Sequence, residues 1–401
     1  MYNPDDNMHN NLGASFLRFF MSRNLVRLTS IMFYIYYMWI LMVKYNSVFL
    51  VSLIPTLSLA GYLLVLLPEG YILDRFPRQM VMFISSLAIM AVYISLFFSQ
   101  ALLWVYAAAM TSSVFSSITS DAFFTLMKDT VNSSSMGRGM SLVEAGRGIS
   151  EIAGIALGGM SIILLTDKFV PLVVMVSAAS VIFSIPRIEH GMKKPKIKYG
   201  FSHVFKAIKM ILPFLLIGLL INGLFISLEV YASGLFYKVL HVGPSYYTLF
   251  VLSFSIGGLM GGLLGVRISK RLENPTFIAS AIAFFGLSFF VLSVSRVPYG
   301  DILVMVPLGT VNSLTNIPLM SYLVKIIPNE VLGRVNSVTT IFMAGASPVM
   351  AVVYGLLSQI FPIPIILLLI AGLLTISSVP TYSTIKRLFK LTENSIKEAM
   401  S

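Results

Sequence analysis

An all-α membrane protein, with twelve transmembrane helices in two pseudo-symmetric six-helix bundles, is the fold class this chain predicts. Three observations carry the prediction. First, of 401 residues 57% are hydrophobic and only 11% charged, with a mean hydropathy of +0.88. Soluble chains carry about 25% charged residues. Too little charge remains here to coat soluble domains, and the same numbers exclude a disordered chain. Second, apolar runs of about the 20 residues that a span requires recur as six, a polar break, and six. Third, Lys and Arg gather on one face when these runs are threaded in alternation through a membrane.

The runs lie near residues 25–43, 49–72, 80–98, 101–127, 139–164 and 169–186, then 210–236, 246–266, 276–294, 302–326, 335–358 and 362–383. This divides the chain into an N-terminal bundle (1–186), a linker (187–209) and a C-terminal bundle with its tail (210–401). The linker is basic; it either only fixes topology or also touches anionic headgroups. Alternation places both termini and the linker on one side. Of the 28 Lys and Arg, only Lys44, Lys168, Lys238 and Arg296 fall on the other side. Basic loops stay in the cytoplasm, so the crowded side is expected to be cytoplasmic. The net charge of +12 is then an orientation label, and no nucleic-acid partner is expected. The N-terminus is polar, with Asp5 and Asp6, and lacks the basic region and cleavage site of a signal peptide. A multi-pass protein of the cell membrane, monomeric and surrounded by lipid, is the expectation.

A weak internal repeat supports two equal halves. Ser117-Ile118-Thr119 matches Ser313-Leu314-Thr315, and Gly137-Arg138 matches Gly333-Arg334. The same offset pairs Arg75 with Arg271 and Gly159 with Gly355. Duplicated six-helix units occur in many secondary transporters, with substrate bound between halves that rock to expose it to each side.

After the second run the chain reads Gly70-Tyr71-Ile72-Leu73-Asp74-Arg75-Phe76-Pro77-Arg78-Gln79. This resembles the signature cytoplasmic loop of the major facilitator superfamily, G-x-x-x-D-R-x-G-R-[RK]. Gly70, Asp74, Arg75 and Arg78 match, whereas Pro77 and Gln79 depart from it. The resemblance implies the major facilitator fold and a loop that latches the outward-facing state. Gly70 would allow close helix packing, Asp74 would receive helix N-terminal amides or a basic partner, and the arginines would hold the membrane surface. In the fifth run, Gly154-Ile155-Ala156-Leu157-Gly158-Gly159 is similar to the G-P-x-x-G-G part of the family's exporter motif, with Ile155 in place of proline. The other reading of these glycines is close helix packing alone. Pro328 through Val335 and Leu235 through Leu240 resemble a branch of enterobactin-exporter-like and macrolide-efflux-like carriers.

Ionisable residues inside spans are costly and therefore functional candidates. Four acids fall there: Asp121, Glu144, Glu151 and Glu229. Glu144, Arg147 and Glu151 share a helical face at spacings of three and four. Glu151 lies roughly 20 Å along the helix from Arg138. Two readings stay open: a proton-coupling unit, with one acid held by Arg147 and the other free to titrate, or a static ion cluster. Glu229, with Asn222 seven residues earlier on the same face, is a candidate for protonation or for a cationic substrate. Asp121 is either a site residue or an interfacial one. Asn312 and Asn316, with Thr315, offer substrate hydrogen bonds. The 29 Phe, 18 Tyr and 23 Met, with Tyr34, Tyr36, Tyr37 and Trp39 together in the first run, suit either an adaptable cavity lining or a lipid-facing belt.

The chain has no Cys, so disulfides and thiolate chemistry are excluded. There is no phosphate-binding G-x-x-x-x-G-K-[ST] loop, no G-x-S-x-G elbow, and no H-E-x-x-H among His9, His190, His203 and His241. No cofactor, metal or enzymatic activity is expected. The expected function is secondary transport: proton-coupled efflux, by antiport, of amphipathic small molecules. Import by proton symport on the same fold, and a non-transporting scramblase or sensor, are the alternatives.

Overall fold

The computed structural model describes residues 14–131, 136–186, 201–327 and 329–391. All the described elements are helical. In chain order they are α1 (Ala14–Tyr45), α2 (Val48–Arg75), α3 (Arg78–Ser95), α4 (Leu102–Thr130), α5 (Met136–Leu164), α6 (Phe169–Ser184), α7 (Phe201–Gly234), α8 (Pro244–Leu272), α9 (Pro275–Val294), α10 (Pro298–Ile326), α11 (Asn329–Ile360) and α12 (Ile363–Leu388). A 3-10 turn, Thr166–Lys168, leads into α6, and a π-helical turn, Leu235–Val239, closes α7. Among the described residues, 12 helices are long and apolar enough to cross a membrane. The twelve expected spans are therefore present.

Local chemistry sets the helix ends. Pro244, Pro275 and Pro298 open α8, α9 and α10 at a position where a missing N–H costs nothing. Asn274 caps α9 by accepting the Thr276 amide at 2.9 Å. Helix α1 begins at Ala14, well before the apolar run near residue 25, because Phe16, Phe19 and Phe20 carry its apolar face past Arg18 and Arg23. Pro213, Pro307, Pro318, Pro348 and Pro380 sit inside helices. Membrane helices tolerate this where neighbours satisfy the freed carbonyls.

The chain forms two compact units. The first comprises Met1–Ile40 and Leu57–Lys194, and the second Leu41–Thr56 and Pro195–Ser401. One end of the first is packed around Phe16, Phe20 and Phe123, with Val65, Leu73 and Met82 closing over them. In the second, Ile211 and Phe214 of α7, Tyr322 and Ile326 of α10, and Ile385 and Leu388 of α12 form the corresponding cluster. The second unit also holds the tip of the α1–α2 hairpin, so the units part from a simple six-plus-six division at that point. Asn46 turns the tip with φ 46°, a left-handed conformation that Asn tolerates better than most residues. Val48 then lies against Gly234, and Phe49 and Ser52 against Gly355.

Candidate functional site

The first unit contains a cavity of about 580 Å³ walled by α1, α2 and α4. Helix α1 supplies Arg23, Arg27, Ser30 and Tyr34, helix α2 supplies Ser58 and Tyr62, and α4 supplies Ser112, Ser113, Ser116, Ser117, Ser120 and Asp121. Spacings of three and four place the α4 serines along one helical face, and Arg23 and Arg27 stand one turn apart on α1.

Arg23 is buried, at 6% exposure. Its Nε donates to Ser120 Oγ at 3.2 Å. Its guanidinium lies 4.9 Å from the Phe124 ring centre and 5.5 Å from that of Phe123. Arg27 donates from Nη2 to Glu151 Oε2 of α5 at 2.9 Å. This contact depends on a close approach of backbones. A Cβ at Gly154 would lie 2.9 Å from Ile31 Cβ, and one at Gly158 would lie 3.0 Å from the Met32 carbonyl. The glycine stretch of α5 thus brings its helix onto α1, with Gly159 also buried.

Behind Ser117 and Asp121 of the cavity lining stands a residue that the sequence reading missed. Glu69 of α2 is 2% exposed, accepts the Ser117 hydroxyl at 2.9 Å, and neighbours the Asp121 carboxyl. Two carboxyl groups so close repel one another when both are charged. Glu69 falls within the second apolar run, 49–72, but stands directly before the loop motif and was not counted among the span acids; α2 continues past it to Arg75. Arg23 and Arg27 were read as topology charges only. Their spacing, together with the serine row of α4, was the available signal.

The other expected residues distribute as follows. Arg147 pairs with Glu144 at 2.9 Å, as one reading proposed, with both side chains more than half exposed. Glu151 pairs with Arg27 across helices, so it is not the unpaired partner of that reading. Asp121 lies on the cavity wall. Glu229 of α7 is exposed and neighbours the buried Tyr247 of α8. Asn222 donates to Gly218 O at 2.8 Å, and Asn316 donates to Asn312 O at 3.0 Å, so both amides are engaged within their own helices. These residues belong to the second unit and are not part of the cavity. Of the helix 1 aromatics, Tyr36, Tyr37 and Trp39 are core residues, Tyr36 stacking on Phe169 at 3.7 Å, while Tyr34 faces the cavity.

In the loop motif, a Cβ at Gly70 would meet nothing within 4 Å. The expectation that Gly70 permits close packing is therefore corrected: the position is open. Arg75 donates to the Tyr71 hydroxyl and lies 5.6 Å from its ring centre. Arg78 is half-buried at the start of α3. The side chain of Asp74, residues 187–200 of the linker and the side chain of Arg334 lie outside those described.

Residues 19–352 match the model of the Major Facilitator Superfamily. No curated protein matches the chain. Solved structures that share its fold include a bacterial homologue of the human lysosomal transporter Spinster, in an inward-facing and unoccupied conformation. That protein is 12% identical, with a TM-score of 0.71, over 97% of this chain and 99% of its own. The nucleoside transporter NupG is 14% identical, with a TM-score of 0.70, over 95% of this chain and 100% of its own. A POT family transporter in complex with a thioalcohol-conjugated peptide is 10% identical, with a TM-score of 0.76, over 94% and 96%. At these identities the likeness is one of fold.

Proposed function

The chain belongs to the Major Facilitator Superfamily and is a multi-pass membrane transporter, and from that premise we propose that it exports amphipathic small molecules by proton-coupled alternating access. The observation that carries this reading is the carboxyl pair formed by Asp121, which lines the first unit's cavity, and the buried Glu69 beside it. Gaining or losing a proton at this pair changes the charge beside a substrate site. A charge change in a poorly solvated place shifts the balance between two conformations that solvate it differently. Glu151, held by Arg27, and Glu229 are the further carboxylates proposed as coupling or substrate residues. The lining of serines beside Phe33, Tyr34, Tyr62 and Phe124 suits a molecule with one polar and one flat apolar side.

Export is supported by the resemblance of Gly154 to Gly159 to the exporter motif. A second reading, uptake by proton symport, draws on the fold neighbours that are named nucleoside and peptide transporters. In either case the chain is a carrier and not an enzyme. It resides in the cell membrane with both termini cytoplasmic, in accord with the Lys and Arg asymmetry.

Membrane vesicles of known orientation test the proposal, with two fluorescent amphipathic dyes as probes, cationic ethidium and anionic carboxyfluorescein. A pH gradient should drive dye movement in the export direction. The Glu69→Gln, Asp121→Asn double variant should lose the dependence on the gradient, and Glu151→Gln and Glu229→Gln report on the other two carboxylates. Gradient-driven transport that is unchanged in the double variant sinks the carboxyl-pair mechanism. Movement in the opposite direction selects symport.

A further inference from the structure

The donors and acceptors lining the first unit's cavity are unevenly satisfied. Arg23 Nη1 is buried and finds no hydrogen-bond partner among the described residues, and neither does Arg27 Nε. Arg23 is more than nine-tenths buried, lines the cavity, and makes its one hydrogen bond among described residues to an uncharged hydroxyl. A buried guanidinium with no carboxylate in contact is costly, and its neighbours Arg27 and Arg147 add repulsion that Glu144 and Asp121 offset from a distance. The nearby acids do not relieve it by contact: Glu151 is on Arg27, Glu144 is on Arg147, and Asp121 is beside Glu69.

The hydroxyls show the opposite imbalance. Ser30 donates to Val26 O at 3.0 Å, Ser112 to Ala109 O at 3.2 Å, and Ser113 to Ser58 O at 2.7 Å. With their hydrogens given to the main chain, the oxygens of these three lining serines keep lone pairs for a further donor. The cavity is therefore lined by two guanidinium groups whose hydrogen-bonding capacity is not filled and by a row of serine hydroxyls.

We infer that the cavity binds an amphipathic organic carboxylate, whose anionic group sits against the Arg23 and Arg27 guanidinium groups and whose own N–H or O–H groups are received by the serine oxygens. The guanidinium fork matches a carboxylate in shape and charge. Phe33, Tyr34 and Phe124 supply a surface for a flat apolar body. Glu151 keeps its place on Arg27 Nη2. The inference rests on the reading that this cavity is the transporter's substrate site, and it names the class of that substrate.

The test uses the purified full-length chain and three probes of similar size: 4-hydroxybenzoate, benzylamine and benzyl alcohol. The carboxylate should raise the thermal unfolding midpoint in a dose-dependent manner, and the amine and the alcohol should not. Arg23→Gln should weaken the apparent affinity about tenfold or more, the usual effect of losing a charge-assisted bond. Arg23→Lys, which keeps the charge and loses the fork, should fall between. If Arg23→Gln does not fold, Arg27→Gln, at a half-buried position, gives the same readout. Stabilisation by benzylamine equal to that by the carboxylate overturns the inference. So does the absence of any stabilisation by 4-hydroxybenzoate, or an affinity unchanged in the Arg23 and Arg27 variants. Carboxylate binding without pH-driven dye transport would sink the exporter reading and leave the site. Transport of ethidium without carboxylate binding would do the reverse.

Discussion

The α2–α4 contact of the first unit and the α8–α10 contact of the second are built on one plan and filled differently. The offset that carries Ser117 to Ser313 also carries Gly61 to Gly257, and both glycines face the partner helix at matching places. A Cβ on Gly61 would lie 2.8 Å from Met110 O, and one on Gly257 would press on Val306 O. Beyond that point the two contacts part. In the second unit Gly261 continues against the Thr310 carbonyl and Gly265 against Ile317, while Gly309 of α10 answers against Phe254. In the first unit the same offset places Glu69 where Gly265 stands and Asp121 where Ile317 stands. One contact is shut by small residues and an apolar side chain; the other holds two carboxyls, a serine row and a cavity. The duplicated scaffold thus supplies rigidity in one copy and chemistry in the other.

Crowding the shut contact should give the largest effect. Gly257→Val must push a branched side chain into the Val306 main chain, which cannot move like a flexible side chain. The expected loss is about 3 kcal/mol, the upper end of overpacking effects, read as a large fall in thermal midpoint and in monodisperse yield. Gly258→Val, on the open side of the same helix with nothing within 4 Å, should change stability by about 0.5 kcal/mol or less. Equal losses in the two variants would mean that the glycine contact is not what closes this unit.

The second prediction makes the open contact resemble the shut one. Glu69→Leu with Asp121→Leu replaces a carboxyl pair by apolar bulk. Replacing buried charged groups with well-packed apolar ones is often neutral or stabilising by about 1–4 kcal/mol. The expected result is a thermal midpoint equal to or above that of the wild type, with gradient-driven dye transport reduced about tenfold or more. A less stable protein that still couples transport to the gradient would show that the pair is structural.

The helical architecture was legible in the sequence because a span must be long and apolar and its loops must carry charge, which are both one-dimensional properties. The ion pairs were legible only where both partners share a helix. Glu144 and Arg147 follow from a spacing of three, whereas the Arg27–Glu151 contact joins α1 to α5 and depends on Gly154 and Gly158 lying against Ile31 and Met32. Glu69 was hidden for a related reason. Beside a loop motif it reads as a surface acid, and only the facing turn of α4 makes it buried. Gly70 misled in the other direction: the motif gave it a packing role that its open surroundings do not require.

Smaller effects should separate the two ion pairs on α5. Arg27 and Glu151 link two helices, with side chains 35% and 33% exposed. Arg27→Ala should cost about 1 kcal/mol, the upper end for a partly solvated pair. A double-mutant cycle with Glu151→Ala should assign most of that cost to the pair. Glu144 and Arg147, at 56% and 53% exposed, join adjacent turns of one helix. Water screens their attraction, and the chain already holds them three residues apart, so their contact orders nothing else. Glu144→Ala should therefore change the thermal midpoint by the equivalent of about 0.5 kcal/mol or less, and raising the salt concentration should erase even that. A coupling energy for Glu144 and Arg147 as large as that for Arg27 and Glu151 would contradict this ranking. It would show that α5 draws its stability from its own turns and not from its contact with α1.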